Sequence, residues 1–226
     1  MAQRPLFIAD TDNGIVREAT VEFTWVPGMA RSQAQKCIRS LHEAAREQYG
    51  VDDILEISSK SENPNGVALS AFNLRLDVNG HNPPLECVYQ ASKKFHNGGP
   101  YTDLLSVSPR DAKRDERLKT SGSIVGFQFG NLFWELTPKT AFYDWLYIRA
   151  LSEAPELASR VRSADAFTDI AFNPAKSVSC QARSAALFSI LDAAGQIDEV
   201  LSSQDSFLRH HANSFGGSER SGTLFG

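Results

Sequence analysis

Glu86, Gln90 and Lys93 follow one another at spacings of four and three in the stretch Pro83-Pro84-Leu85-Glu86-Cys87-Val88-Tyr89-Gln90-Ala91-Ser92-Lys93-Lys94-Phe95. At 3.6 residues per helical turn, those spacings place a carboxylate, an amide and an ammonium on one face, with Tyr89 beside them. Val88, Ala91 and Phe95 fall on an apolar face. Such a polar set can hold a ligand or move a proton. A solvated stripe, stabilised by about 0.2–0.5 kcal/mol per pair, is the plainer account, and the helix alone does not decide between them.

Other residues able to do chemistry are scattered. Asp144 stands among four aromatics in Phe142-Tyr143-Asp144-Trp145-Leu146-Tyr147. A carboxylate in an apolar setting needs a partner or a shifted pKa. Asp169 interrupts the apolar run Phe167-Thr168-Asp169-Ile170-Ala171-Phe172; a turn-capping role before Asn173-Pro174 is as good a reading as a chemical one. Gly98-Gly99-Pro100 leaves backbone bare, as a phosphate site would need, and serves equally well as a helix stop. Arg110, Lys113, Arg114, Arg117 and Lys119 crowd a stretch that also carries Asp111, Asp115 and Glu116. A solvated face explains most of that stretch, leaving one or two cations able to reach a phosphate.

The elements that must position these residues read as follows. Asn82 is placed to cap the Glu86 helix, with Pro83 or Pro84 at its first position, where a missing N–H costs nothing. In front of it, Ile54 to Ile57 and Ser70 to Leu74 read as strands, with a Ser-, Lys- and Asn-rich loop between them. The spacing predicts helices over 32–48, 108–119, 137–151, 155–163 and 179–195. Before residue 50, Leu6-Phe7-Ile8, the Asp12-Asn13-Gly14 turn and the alternation of Val21, Phe23 and Trp25 form a hairpin preceding the first helix. The expected organisation is therefore an N-terminal hairpin and helix module over 1–50, a main domain over 51–200 and a flexible tail over 201–226. The expected class is α+β, predominantly α, with a small sheet.

With 226 residues and a formal net charge of −4, the chain is of ordinary globular size and lacks the strong basic balance of a dedicated duplex-DNA binder. Any nucleic acid would be gripped locally. Cys37, Cys87 and Cys180 lie far apart, and the five histidines show no metal-ligand spacing, so neither a disulfide framework nor a metal site is expected. No signal peptide and no run near the roughly 18 apolar residues of a membrane span is read, so the expected location is the cytoplasm.

Three motifs occur in order: Ser70-Ala71-Phe72-Asn73-Leu74; then Leu85-Glu86, Tyr89-Gln90 and Ser92-Lys93; then Gly98-Gly99-Pro100-Tyr101. Together they resemble the NADAR family, whose mark is a Glu-x-x-aromatic-Gln-x-x-Lys helix behind a Ser/Asn/Phe-rich strand. The stretches 139–148 and 167–184 are similar to one branch, the antitoxins encoded beside DarT-type DNA ADP-ribosyltransferases. The resemblance covers about residues 54 to 192. Lys94 departs from it, since the family tends to have an apolar residue there.

The resemblance implies a NADAR-type helical domain that cleaves the N-glycosidic bond joining ADP-ribose to guanine in DNA, without metal or cofactor. It makes ADP-ribosylated, single-stranded DNA the substrate, ADP-ribose the product and the cognate toxin a further partner. Glu86 is then the first choice to face positive charge on the ribosyl carbon, Asp169 the second and Asp144 the third. Lys93 would hold phosphate or a ribose oxygen as a cation, or attack the opened sugar as an amine. Gln90 and Asn73 would fix ribose hydroxyls or the guanine edge. Tyr89, Tyr101 and Trp145 are candidates to stack on a flipped base, with core packing the stronger reading for Trp145. The Gly98-Gly99 backbone, Lys113 and Arg183 would take the pyrophosphate. Ser70, Phe72 and Gln181 complete the expected ligand-binding set. Two alternatives remain at this point: a non-catalytic module that binds ADP-ribose or the toxin, and an N-glycosidase acting on small ribosyl phosphates.

Overall fold

A computed structural model describes residues 1–175 and 177–215. The chain opens with strands β1 (Ala2–Asp10) and β2 (Ile15–Phe23), helix α1 (Arg31–Tyr49), strand β3 (Ile54–Glu56) and helix α2 (Pro64–Ala68). Helix α3 (Leu85–Ala91), strand β4 (Lys93–Phe95), helices α4 (Pro109–Arg114) and α5 (Arg117–Thr120), and strands β5 (Ile124–Phe129) and β6 (Leu132–Trp134) follow. Helices α6 (Ala141–Ser152) and α7 (Pro155–Arg162), strand β7 (Ala166–Thr168), and helices α8 (Gln181–Ala193), α9 (Ile197–Ser202) and α10 (Gln204–Asn213) complete it. The fold is α+β and predominantly helical, as the sequence patterns predict.

Two small sheets carry the strands, one in the order β2-β1-β7-β3 and the other β4-β5-β6. The hairpin forms as expected: β1 and β2 pair from Ala2 opposite Phe23 to Asp10 opposite Ile15. Gly14 takes the positive φ that the turn requires, and Asp10 Oδ1 accepts from the Asn13 N–H. Leu6, Val21 and Phe23 bury against Cys37, Ile38, Leu41 and Ala45 of α1. The front segment is joined to the remainder by more than packing. Phe7 and Ile8 pair antiparallel with β7, and β7 pairs parallel with β3.

Helix α6 runs through the core. Ten of its side chains are buried, so its apolar residues wrap the whole circumference rather than one stripe. It packs against α3, α7, α8, α9 and α10.

Four local expectations differ from the structure. Ser70 to Asn73 form a turn, not a strand, held by the Asn73 and Leu74 N–H groups donating to Ser70 O. The Glu86 helix is capped at Pro84 and stops at Ala91, so Lys93 and Phe95 belong to β4. The charged stretch breaks into α4 and α5, because Asp115 leaves helical geometry and its carboxylate accepts from the Arg117 N–H. The stretch beyond residue 201 continues as α9 and α10, which bury Phe207 and His211. Of the expected tail, residues 216–226 lie outside the described residues.

Candidate active site

The turn at 70–73 and the start of α3 are built together. The Glu86 N–H donates to Ala71 O, and the Leu85 N–H donates to Leu74 O. Gln181, at the start of α8, locks the same turn: its Oε1 accepts from the Ala71 N–H at 2.8 Å, and its Nε2 donates to Ile57 O at 2.6 Å and to Asp169 Oδ2 at 3.0 Å. One amide thus ties the end of β3, the turn, and the loop after β7. Ser70 and Asn73 spend their side chains inside the turn. Ser70 Oγ donates to Val67 O at 2.6 Å, and Asn73 Nδ2 donates to Val67 O and to Ser70 Oγ, each at 2.9 Å.

Glu86 is only 5 % exposed. Its Oε1 accepts from Gln90 Nε2 at 2.8 Å and faces Lys113 Nζ at 3.5 Å. The i,i+4 spacing therefore makes a buried contact, not a solvated stripe. Glu86 Oε2 takes no hydrogen bond from the described residues. Lys113 reaches in from α4, with its ammonium 5.5 Å from the centre of the Phe72 ring.

Lys93 Nζ stands 4.9 Å from the centre of the Tyr89 ring. Among the described residues it has no hydrogen-bond or ion-pair partner. Burial lowers its pKa below the ordinary 10.5, partly offset by the charge of Glu86 and reinforced by Lys113. Glu86 and Lys93 thus sense each other although they sit on different elements. Tyr89 stacks on Phe127 and Phe142, meets Tyr143 edge-on at 5.1 Å, and shares a 3.4 Å contact with Ser179.

Asp169 is buried, and its pKa is pushed up to about 6, first by burial. The Ala171 and Phe172 N–H groups both donate to its Oδ1, and Gln181 occupies Oδ2. Those partners make it a brace for the loop entering α8. The electrostatic reach of Lys113 extends to it. Sequence reasoning passed over Glu56, the other buried carboxyl here. Ser58 Oγ and the Ile170 N–H donate to its Oε1, and Thr168 Oγ1 donates to its Oε2. Burial first, and Asp169 second, push its pKa up to about 8. In sequence it is the last residue of a three-residue strand, with no motif to flag it.

The remaining expected residues lie apart from Glu86. Asp144 is fully buried and forms a network with Arg183 at 2.6 Å, His211 Nε2 at 2.9 Å and Ser184 Oγ at 2.5 Å. Burial raises its pKa, but Arg183 and the His211 contact pull it net below the usual value. Trp145 is buried among Phe129, Trp134 and Phe142. Gly98 and Gly99 are explained locally: a Cβ at Gly99 would fall 2.3 Å from Lys93 O, and one at Gly98 2.2 Å from the Tyr101 hydroxyl. Tyr101 bonds Ser121 and lies under the Arg117 guanidinium. Neither Glu86 nor Lys93 lines the clefts of about 430, 530, 440 and 210 Å3. Asn73 lines the second of these and Arg183 the third. Over Glu86 the described structure instead places the Lys113 side chain, which is 59 % exposed.

A Glu-x-x-Tyr-Gln helix that buries its carboxylate beside a lysine, on a predominantly helical α+β scaffold, is of the NADAR type, a class that is glycosidase-like in general. A family model described as DarT1-associated NADAR antitoxin matches residues 2–220, and the chain belongs to that family. The family is one of antitoxins, with a DarT-type toxin as the implied counterpart. Comparison with curated proteins finds no match. No helix among the described residues is long and apolar enough to cross a membrane.

Proposed function

We propose that this antitoxin hydrolyses the N-glycosidic bond between ADP-ribose and guanine in DNA. The observation that carries the reading is Glu86: a buried carboxylate with one oxygen fixed by Gln90, the other open, and Lys93 within its field. Breaking the bond sends its electron pair to the guanine nitrogen, which takes up a proton. The ribosyl carbon and ring oxygen gain positive charge, and Glu86 faces that charge. Water adds to the carbon and loses its proton to the carboxylate. The products are ADP-ribose and intact guanine, and the reaction consumes only water.

Lys113 gives the site its anion response. Its ammonium pairs with Glu86 from an exposed stem, so a pyrophosphate can draw it away and leave the carboxylate free. Tyr89 offers an aromatic face beside Lys93, although part of that face already stacks within the core.

The test is incubation with single-stranded DNA carrying ADP-ribosyl-guanine, with free ADP-ribose measured. Turnover is expected, with a loss of at least about 100-fold in Glu86→Gln, the scale of a positioned acid or base, and with ADP-ribose binding retained. No release by folded wild-type protein would sink the proposal. If Glu86→Gln neutralised the toxin as well as wild type, direct binding would replace hydrolysis as the mechanism.

A further inference from the structure

The cleft of about 430 Å3 between α1 and the β3–α2 segment has His42 and Glu56 in its lining. His42 Nε2 lies 2.8 Å from Thr168 Oγ1, and Thr168 Oγ1 lies 2.7 Å from Glu56 Oε2. Thr168 is fully buried and Glu56 nearly so. The other ring nitrogen of His42, Nδ1, has no partner among the described residues and keeps contact with solvent. The imidazole thus joins a buried carboxyl on one side to an open nitrogen on the other.

A threonine hydroxyl carries one proton and donates it in one direction at a time. An ionised Glu56 only accepts, so Thr168 donates to it and accepts from His42. The ring hydrogen then sits on Nε2, and Nδ1 is bare. A protonated Glu56 donates to Thr168 instead. The hydroxyl turns to donate to His42 Nε2, and the ring hydrogen sits on Nδ1. The acid proton belongs on Oε2, because Oε1 already accepts from the Ile170 N–H, which can only donate, and from Ser58 Oγ. Ser58 Oγ has its own donor in the Lys60 N–H and gives its proton to Oε1. Going from one state to the other releases one proton overall, from Glu56. The imidazole stays neutral and only changes which nitrogen bears hydrogen.

We infer that Glu56, Thr168 and His42 form a relay in which the proton state of a buried carboxyl decides whether His42 offers the cleft a hydrogen-bond donor or an acceptor. Arg39, Glu43 and Arg46 of α1 and Glu62 ahead of α2 line the same cleft, and Asp169 faces Glu56 from the loop after β7. Burial sets Glu56 at about 8, Asp169 at about 6 and His42 at about 4. Above pH 7 the carboxyl therefore titrates beside an imidazole that is already neutral. A carbonyl or phosphate oxygen in the cleft meets a donor in the first state and a bare nitrogen in the second.

The experiment is nitrogen-15 NMR of protein labelled on its histidines, read from pH 7 to 9.5, because protonated and bare ring nitrogens resonate far apart. His42→Gln identifies the His42 signals. Wild type is expected to carry the hydrogen on Nδ1 at pH 7 and on Nε2 at pH 9.5, with the midpoint at about 8. In Glu56→Gln the amide donates to Thr168 at every pH, so Nδ1–H is expected throughout. The same tautomer in wild type and Glu56→Gln at pH 9.5 overturns the inference. A wild type at Nε2–H over the whole range, beside an Nδ1–H variant, upholds the relay and places its midpoint below 7. Thr168→Val keeps the shape and removes the hydroxyl, and a pH-dependent swap that survives in it also overturns the relay. Thermal melts check that each variant folds. Should Glu56→Gln not fold, a wild type that swaps beside a Thr168→Val that does not is the expected pair, and any other pair overturns the inference.

Discussion

Lys93 illustrates what a position in sequence conceals at the scale of a residue. Its spacing from Gln90 suggests one helix, but α3 ends at Ala91 and Lys93 enters from the first residue of β4. It still senses Glu86, because the chain turns tightly between the two elements. Glu86 and Gln90 were legible because their contact is local, four residues within one helix. The contact of Tyr143 with Tyr89 was not legible: it sits in an α6 whose apolar residues cover all sides, so no periodicity says which of them meets α3. Burial lowers the pKa of Lys93, the direction that helps an attacking amine, so its role beside Glu86 needs its own test. Under the direct attack of water, borohydride added during turnover is expected to trap no protein adduct, and Lys93→Arg, which keeps the charge, is expected to keep a tenth or more of the activity. An adduct with the mass of reduced ADP-ribose on wild type, absent from a Lys93→Arg protein that has lost at least about 100-fold in rate, would instead mean that the amine attacks C1 of the opened ribose and displaces guanine, with water later hydrolysing the imine.

At the scale of elements, short turns and interruptions decide how the site is assembled. The stretch Ser70 to Leu74 alternates like a strand, yet Ser70 and Asn73 hydrogen-bond locally and wind it into a turn. Asp115 likewise divides a charged segment that composition alone reads as one helix. The long helix α1 was legible because many residues vote for one period, with Ile38, Leu41 and Ala45 on its buried face. The three-residue β3 and β7 offer too few positions for a pattern, and the pairings of β7 with β1 and with β3 join residues more than a hundred positions apart. The close approach at the base of α2 was hidden as well. A Cβ on Gly66 would lie 2.1 Å from Glu56 O and 2.5 Å from Ser61 Oγ, so backbone would have to move. Gly66→Ala is expected to cost about 2 kcal/mol or more in denaturant unfolding. Gly66 is helical, so its propensity gain of up to about 1 kcal/mol works the other way. A neutral or stabilised variant would mean that the β3–α2 contact yields easily.

At the scale of the molecule, the four-stranded sheet joins the front hairpin to the candidate site, and its junction is titratable. His42 of α1 hydrogen-bonds Thr168 Oγ1 at 2.8 Å, and Thr168 bonds Glu56, whose other partners reach the loop bearing Asp169. Glu56 has a pKa of about 8 in the fold, against an ordinary value of 4.5. Between those values the native state holds a proton that the unfolded chain has released. Stability therefore falls as pH rises through that window, and the penalty is complete above pH 8. His42 works in a lower range. Burial, then Arg46, depress its pKa from 6.5 to about 4, so it costs stability as pH falls below 6.5. Asp169, at about 6, titrates mostly below neutrality as well. The interval from pH 6.5 to 8.5 is left chiefly to Glu56. Wild-type Tm is expected to fall by roughly 5 °C across it, as a loss of one to two kcal/mol would do in a chain of this size. Glu56→Gln should hold its Tm nearly level there. An amide mimics the protonated acid: its oxygen accepts from Ser58 and Ile170, and its NH2 donates to a Thr168 hydroxyl that rotates to receive it. Melting curves for the two proteins that shift in parallel from pH 6.5 to 8.5 would show that Glu56 is already ionised in the fold, and that the junction carries its charge without cost.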